Sequence, residues 1–452
     1  MKIVKFGGSS VADAAQISKI IDIVSADPTR RVVVVSAPGK RNSSDTKVTD
    51  LLITLAETVL AGNDFSSALE AVVERYAAIQ KELDLDESIT QEIRANLEKR
   101  IESRSSNTAQ FMDTMKAAGE DNSAKVVAAA FVKKGIPARY VNPGEAGMLL
   151  SDEFGNAEVL PESFEKLAQL NDVAEIIIFP GFFGSTKSGE VATFPRGGSD
   201  ITGAILAAAL KAEVYENFTD VDSVYAMDPR VVPSAPALEG LTYREMRELS
   251  YAGFGVFHDE AIVPAVHAEI PICIKNTNRP EAPGTLITRR RTVKEGEVVA
   301  GIASSGGFCA IEIEKYMMNR EIGFGRRLLQ IFEEEGISYE HTPSGIDNLD
   351  VILRSSELDD GKKTHILERI QTELQPDSVE IEEDLVLVML VGEGMLGALG
   401  NAGNVTKSLG DAGVNIEMIN MGASEISIML AVKEADHVKA IQALGNTFFA
   451  AS

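Results

Sequence analysis

Apolar residues in the first three hundred positions alternate between short continuous runs and runs with helical spacing. Residues 2–6 and 31–39 form apolar runs, and the second is rich in β-branched side chains and ends in small residues. Such runs are typical of parallel strands buried on both faces. Residues 17–24 have helical spacing, and 62–118 are predicted to be mostly helical. The alternation resumes after 118, which predicts an α/β sandwich with a mostly parallel sheet.

The pattern changes near residue 300, where the charged, loop-like segment RRRTVKEGE is followed by ASSGG. Beyond it lies a weak internal repeat, because EEGISYE (334–340) and DAGVNIE (411–417) match at an offset of 77 residues. Each copy is predicted as strand, helix, strand, strand, helix, with a less clear final strand. We predict a first domain over 1–300 and repeat modules over 301–378 and 379–452. The alternative is two unrelated α/β modules that share a turn.

Composition narrows the class of protein. Hydrophobic residues make up 44% of the 452 residues and charged residues 25%, as in ordinary globular proteins. The net charge of −25 argues against binding to nucleic acid or to anionic membranes. No apolar run approaches the ~20 residues that span a bilayer, and no signal-peptide pattern opens the chain, so we expect a cytoplasmic protein. Cys273 and Cys309 lie in apolar runs and are interpreted as small buried hydrophobes.

The first candidate site is KFGGSS, directly after the first predicted strand. Gly7 and Gly8 would let backbone N–H groups approach a ligand, and Ser9 adds a hydroxyl. Lys5 adds a compact positive charge suited to a phosphoryl group. The P-loop pattern is absent from this segment. A plain turn remains the alternative interpretation of this segment alone.

A second glycine loop, FPRGGSD (194–200), precedes the small-residue helix ITGAILAAALKA. It offers Arg196, Gly197 and Gly198, a hydroxyl at Ser199 and a carboxylate at Asp200. Helix capping by Ser199 or Asp200 is the alternative, but capping requires neither an arginine nor two glycines.

The third segment is FTDVDSVYAMDPR (218–230). Thr219 and Asp220 end a predicted strand, and Tyr225, Asp228 and Arg230 follow in an acidic loop. An aromatic surface, polar groups and an arginine suit a nucleotide. Taken alone, the segment would be a loop with Asx turns.

These three loops, in this order, resemble the amino-acid kinase family and, within it, the aspartate kinases. The resemblance continues through MRELSYAGFGVFHDEAIVPA and IPICIKNTNRPEAPGTLI and spans nearly the whole chain. It implies a three-layer α/β/α kinase sandwich followed by two ferredoxin-like βαββαβ modules of the ACT type. It also implies a phosphotransferase with a carboxyl acceptor, in which MgATP phosphorylates the side chain of L-aspartate to give 4-phospho-L-aspartate and ADP.

The resemblance assigns roles position by position. Lys5 and Asp200 would be catalytic, with Lys5 neutralising charge on the transferred group and Asp200 orienting basic groups or the Mg²⁺ shell. The implied phosphate-binding residues are Lys5, Gly7, Gly8, Ser9, Gly197, Gly198 and Ser199. The implied aspartate-binding residues are Ser36, Thr49, Glu120 and Arg196, of which Glu120 would pair with the ammonium and Arg196 with a carboxylate. The implied nucleotide-binding residues are Thr219, Asp220, Tyr225, Asp228, Arg230, Gly255, Val256 and Lys275. No protein metal site is expected, because the nucleotide phosphates would hold most of the Mg²⁺ shell.

The sequence departs from the family pattern at three positions. Ser9 replaces a threonine and keeps the hydroxyl. Pro195 replaces the first glycine of GRGGSD, which removes an N–H group. Gly255, in GFGVFH, stands where many relatives have a lysine that contacts the nucleotide, and Lys275 is the candidate to replace it.

The paired ACT-type modules imply an amino-acid effector, either lysine or threonine. We favour lysine, because Glu340 and Asp347 would receive its ammonium alongside Met318, Ser338 and Ser344; a solvated acidic loop is the alternative. Such modules usually pair across subunits, which predicts a homodimer or a dimer of dimers. Two rival functions remain at this point: another amino-acid kinase, or a non-catalytic amino-acid sensor with a silent kinase core.

Overall fold

The computed structural model describes residues 1–255, 261–422 and 424–449, and the chain divides into two compact units. The first unit comprises Met1–Val224, Ala237–Arg247 and Gly255–Arg291. The second comprises Tyr225–Pro236, Glu248–Phe254 and Thr292–Ser452. Among the described residues, no helix is both long enough and apolar enough to cross a membrane.

An eight-stranded sheet forms the centre of the first unit, in the order β3-β4-β2-β1-β7-β9-β10-β8. Its strands are β1 (Lys2–Phe6), β2 (Arg30–Val35), β3 (Ala138–Tyr140), β4 (Ile176–Pro180), β7 (Val214–Thr219), β8 (Gly240–Thr242), β9 (Ile272–Asn276) and β10 (Thr285–Thr288), while β5 (Phe183–Ser185) and β6 (Val191–Thr193) form a separate hairpin. All neighbouring strands are parallel except β9 and β10. The predicted mostly parallel sheet is confirmed.

The helices of this part of the chain are α1 (Ala14–Ser25), α2 (Val48–Leu60), α3 (Ser66–Glu82), α4 (Ser88–Glu102), α5 (Thr108–Lys133), α6 (Pro143–Ala146), α7 (Glu162–Leu167), α8 (Gly198–Ala209), α9 (Tyr243–Tyr251) and α10 (Val263–His267). Apolar residues of β1, β2 and α1 to α5 form one core, in which Phe6, Phe111 and Phe131 are almost completely buried. Because β1 and β2 lie in the middle of the sheet, both of their faces are covered and their sequences are continuous apolar runs.

The second unit contains a five-stranded antiparallel sheet in the order β12-β11-β13-β15-β14. Its elements are β11 (Gly301–Glu314), α11 (Phe324–Glu334), β12 (Asn348–Arg354), α12 (Asp360–Leu374), β13 (Ser378–Val391), α13 (Asn401–Asp411), β14 (Met418–Asn420), β15 (Ser427–Lys433) and α14 (His437–Phe449). The alternation of strands and helices agrees with two ACT-type modules, except that between α11 and α12 the described residues form one strand, β12, and an isolated bridge between His341 and Ile352 replaces the other predicted strand.

Two separate hydrophobic cores lie within this second unit. Helices α11 and α12 pack with β12 and the end of β11 in one core, whereas α13 and α14 pack with β15 and the end of β13 in the other. The long strand β11 serves both, since Ile311 belongs to the first core and Ile302 to the second. Residues 301–305 pair with residues 387–391, so they supply the strand that the repeat left unclear.

Candidate active site

The glycine loop begins where β1 ends, between two parallel neighbours. Lys5 is in register with Val34 of β2 and Asn217 of β7, and a 3₁₀ turn over Gly8–Val11 follows. The Gly7 N–H donates to the Phe218 carbonyl at 3.1 Å. The carboxyl ends of parallel strands are the usual ligand-binding edge of such a sheet. The structure therefore places Lys5, Gly7, Gly8 and Ser9 at this edge.

The two residues predicted to be catalytic lie in direct contact. The Nζ atom of Lys5 is 2.5 Å from Oδ1 of Asp200, in the first turn of α8, and both side chains are largely buried. The Asn217 amide donates to the same Asp200 oxygen at 2.7 Å. Sequence reasoning missed Asn217; its place in the strand next to Lys5, two residues before Thr219, is the only signal that could have indicated it. A fixed ammonium can offset the negative charge that develops on a phosphoryl group, and the Asp200 carboxylate holds that ammonium in position.

The second glycine loop leads into this cluster. Gly197 adopts a left-handed conformation (φ 77°) directly before α8, which a non-glycine residue would adopt only with strain. Its carbonyl accepts from the Asp200 N–H at 2.8 Å. Gly198 and Ser199 are buried, whereas Arg196 is exposed and forms no ion pair within the described part of the chain. Arg196 is therefore available to an anionic ligand.

Glu120 is the buried acid of this region. It lies in α5 with 6% of its surface exposed, and its Oε2 atom has no hydrogen-bond partner among the described residues. Burial raises the pKa of Glu120 to about 7, while the Ala37 backbone N–H and the Lys5 charge partly oppose the shift. An unpartnered buried carboxylate oxygen is costly, and a ligand cation would lower that cost.

The two predicted hydroxyl residues flank one loop. Ser36 directly follows β2, and its N–H donates to the Phe6 carbonyl at 3.2 Å. Thr49 is the second residue of α2 and is half-buried. The structure gives no direct contact between either hydroxyl and the Lys5–Asp200 pair.

Part of the predicted nucleotide side also lies in the first unit. Thr219 ends β7 and hydrogen-bonds to the exposed Asp220, and Lys275 lies half-buried in β9, two strands from β1. A turn that sequence reasoning missed supports them. The Thr277 N–H donates to the Thr219 carbonyl at 2.9 Å, and the Asn276 amide donates to the Asp220 carbonyl at 3.3 Å.

The remaining predicted nucleotide residues are not brought to this edge within the first unit. Tyr225, Asp228 and Arg230 belong to the second unit. Arg230 forms an ion pair with Asp228 at 2.7 Å, and this contact holds the pKa of Asp228 below its usual value. Gly255 is exposed, and no atom of the described residues lies within 4 Å of where its side chain would begin, while Val256 lies outside those residues.

The predicted effector residues lie around the start of α11 and of β12 in the second unit. Met318 is buried, Ser338 and Ser344 are exposed, and the Asp347 carboxylate accepts from the Met317 N–H at 2.8 Å. Glu340 accepts a hydrogen bond from the Tyr251 hydroxyl and lies 3.4 Å from Arg354. Both carboxylates therefore have partners within the unit.

Comparison with models of known protein families identifies the class of protein. The amino acid kinase family model matches residues 1–276, and an ACT domain model matches residues 388–448. With the glycine loops at the carboxyl edge of a parallel sheet, this match shows that the chain belongs to the amino acid kinase family.

The most similar curated relatives are aspartokinases, which places the chain in the aspartokinase branch of the family. Aspartokinase 3 of Bacillus subtilis (strain 168) is 55% identical, and the match covers 100% of this chain and 99% of that protein. The crystal structure of Clostridium acetobutylicum aspartate kinase, described as an allosteric enzyme, superposes with a TM-score of 0.88 at 37% identity, covering 99% of this chain and 100% of that one.

Two structures of E. coli aspartokinase III are also similar. The complex with aspartate and ADP, in the R-state, has a TM-score of 0.81 at 28% identity and covers 99% of this chain and 100% of that one. The complex with lysine and aspartate, in the T-state, has a TM-score of 0.78 at 26% identity and covers 99% of each chain. These similarities agree with the fold and enzyme class expected from the motifs.

Proposed function

We propose that this chain transfers the γ-phosphoryl group of ATP to the side-chain carboxylate of L-aspartate, giving 4-phospho-L-aspartate and ADP. The observation that carries the proposal is the buried Lys5–Asp200 pair beside the glycine loop. The relatives support it, since one of them was solved with aspartate and ADP.

The reaction is a displacement between two anions. A carboxylate oxygen of aspartate forms a bond to the γ-phosphorus as the bond to the β-phosphate oxygen breaks, and no proton needs to move. Lys5 offsets the charge that spreads over the transferred group. Asp200 and Asn217 hold the Lys5 ammonium in place before the substrates arrive, so little reorganisation is needed during transfer. Backbone N–H groups of Gly8 and Ser9 are proposed to bind phosphate oxygens.

The substrate's own charges match the residues around this pair. Glu120 is proposed to receive the aspartate ammonium, which would give its buried carboxylate an ionic partner. Arg196 is exposed and suited to a carboxylate through two parallel hydrogen bonds. Ser36 and Thr49 are proposed to line the same pocket.

Mg²⁺ is treated as part of the MgATP substrate. The described residues contain no group of three or more His, Cys, Asp or Glu side chains that could hold a metal ion. We propose that phosphate oxygens carry most of the Mg²⁺ shell, with Asp200 oriented near them.

We further propose that the product feeds synthesis of lysine, threonine and methionine in the cytoplasm, and that lysine inhibits the enzyme through the first ACT-type module. Glu340 and Asp347 supply two carboxylates in this module, in which Ser338 is exposed, and such a combination suits a lysine side chain. The lysine complex of E. coli aspartokinase III supports this choice.

The proposed function is tested by trapping acyl phosphate. Purified protein is incubated with MgATP, L-aspartate and hydroxylamine, with and without lysine or threonine. Aspartyl hydroxamate is expected, and lysine should suppress it. Hydroxamate formed only with another carboxylate substrate would indicate a different amino-acid kinase. Lysine binding without any hydroxamate would indicate a sensor with a silent kinase core.

A further inference from the structure

The loop between β2 and α2 packs directly on the glycine loop. The Gly39 N–H donates to the Gly8 carbonyl at 2.8 Å. A Cβ atom on Gly39 would lie 2.7 Å from the Gly8 carbonyl carbon, so only glycine permits this approach. The same loop is flanked by Ser36 and Thr49. Its position therefore sets where both hydroxyls lie relative to the phosphate-binding backbone.

One buried arginine also contacts this loop. Arg75, in α3, donates from Nη2 to the Gly39 carbonyl at 2.7 Å. The same nitrogen is 3.5 Å from Oδ2 of Asp45, a residue of the loop. Asp45 also accepts from the Arg41 backbone N–H and guanidinium at 2.9 and 2.8 Å. Arg75 thus connects helix α3 to two points of the loop.

The burial of Arg75 lowers the stability of the fold, which a purely structural role does not explain. Only 6% of its surface is exposed, and its Nε and Nη1 atoms have no hydrogen-bond partner within the described part of the chain. Burial lowers the pKa of its guanidinium, although the group stays charged at neutral pH. A buried cation with unsatisfied donors destabilises a fold, and an apolar side chain of similar size would cost less.

We propose that Arg75 is a positioning residue for aspartate: through the Gly39 carbonyl and Asp45 it holds the loop that presents Ser36 and Thr49. The proposal rests on the proposed function. It predicts that the loss of Arg75 weakens the use of aspartate more than the use of ATP.

The expected difference between substrates follows from how the glycine loop is held. Its contacts with Phe218 and with the buried Ser10–Thr277 hydroxyl pair, 2.7 Å apart, do not involve Arg75. The glycine loop proposed to bind the phosphates therefore keeps these contacts when Arg75 is replaced. The loop between β2 and α2, by contrast, loses the hydrogen bond that Arg75 donates to the Gly39 carbonyl.

The test compares Arg75→Met, Arg75→Lys and Arg75→Ala with Arg41→Met in the full-length enzyme. Arg41→Met is the matched control, because it removes an arginine that pairs with Asp45 but, among the described residues, has no hydrogen bond to the Gly39 carbonyl. For Arg75→Met we expect KM for aspartate to rise about tenfold, with KM for ATP within about twofold of wild type. Arg75→Lys should recover part of the loss, and guanidinium added to Arg75→Ala should lower its KM for aspartate. Arg41→Met should behave like wild type.

Three results would overturn the proposal. These are an unchanged KM for aspartate in a folded Arg75→Met enzyme, an equal rise for both substrates, or the same rise in Arg41→Met. Thermal unfolding of each variant separates these outcomes from loss of the fold. Absence of hydroxamate in the wild-type enzyme would instead refute the proposed function and is distinguished by assaying the wild type first.

Discussion

The ammonium group of Lys5 lies 2.5 Å from the Asp200 carboxylate, in surroundings that water hardly reaches. Charges interact strongly there, and a charge that loses its partner is costly to keep. Asn217 also fixes the position of the Asp200 carboxylate, because its side-chain amide donates to that group at 2.7 Å. The pair is therefore already ordered before any anionic substrate binds.

Replacing Lys5 with Met should lower kcat by about a thousandfold, because a preorganised positive charge on the transferred group is lost. Hydroxamate formation measures the effect. Lys2→Met is the control, since Lys2 lies on the same strand but pairs with Asp27 at 2.7 Å, away from the glycine loop. If kcat of the Lys5→Met enzyme stayed within about tenfold of the wild-type value, Lys5 would have no catalytic role.

Glu120 should give the enzyme a measurable pH dependence. Its pKa is raised from 4.5 to about 7, so the carboxylate that would bind the substrate ammonium forms only as pH rises through about 7. KM for aspartate should fall over that range, and Glu120→Gln should abolish the change. A KM profile that is identical in the variant would contradict the assignment.

The same shift affects stability with a definite sign. Between about pH 4.5 and 7 the folded protein binds more protons at Glu120 than the unfolded chain does. The free energy of unfolding should therefore fall as pH rises through this window and then level off. Urea unfolding at several pH values, compared with Glu120→Gln, measures this contribution.

Among the elements, helix α9 contributes residues to both compact units. In the first unit, the Tyr243 hydroxyl donates to the Ile270 carbonyl at 2.6 Å and Glu245 pairs with Arg291 at 2.7 Å. In the second unit, Tyr251 at the other end of the helix donates to Glu340, one of the predicted effector residues. Occupation of Glu340 by a ligand ammonium would compete with this hydroxyl.

Tyr251→Phe should therefore lower the lysine concentration for half-inhibition by about fivefold and leave kcat unchanged. The phenyl ring retains its edge contact with His341, at 6.3 Å between ring centroids, so only the hydroxyl is removed. Tyr339→Phe is the control, because Tyr339 is a partly exposed tyrosine of the same module. If the lysine concentration for half-inhibition were unchanged in Tyr251→Phe, the Tyr251 hydroxyl would not compete with lysine for Glu340.

At the scale of the whole molecule, the two repeat modules expose large apolar residues at equivalent positions. Ile322 and Leu399, 77 residues apart, are 100% and 98% exposed. Large apolar residues that are fully exposed often mark an interface, and the predicted homodimer would cover them.

Light scattering should therefore find a species of at least twice the 48.5 kDa of the chain. Replacing both Ile322 and Leu399 with Lys should shift it towards the monomer, because the charges would be buried without partners. Val132→Lys, at an exposed position of α5, is the control. A monomeric wild-type protein would refute the predicted assembly.

Local pattern was sufficient for much of the fold. The buried runs at 2–6 and 31–39 became β1 and β2, and the mostly helical stretch 62–118 became α3, α4 and the first part of α5. These elements were predictable because the spacing of apolar residues in each one reflects which of its faces are buried. The enzyme class was predictable because two glycine loops and one acidic loop follow each other in a recognisable order.

Other features depend on residues that are distant in the sequence. The strand over 301–305 completes a core formed mainly by residues beyond 385, and no local signal marks that pairing. Asn217 and Arg75 act through partners 17 and 36 residues away. A strand asparagine and a helix arginine are individually unremarkable, so neither was predicted.

The sequence by itself determined the alternation of elements, the two glycine loops and the identities of Lys5, Glu120 and Asp200, because these depend on neighbours along the chain. Only the tertiary structure decided that Lys5 meets Asp200, that burial raises the pKa of Glu120, and that a buried arginine supports the hydroxyl loop. The physical reason is that burial, ion pairing and close packing are set by which distant segments come together, and that information is absent from any single segment.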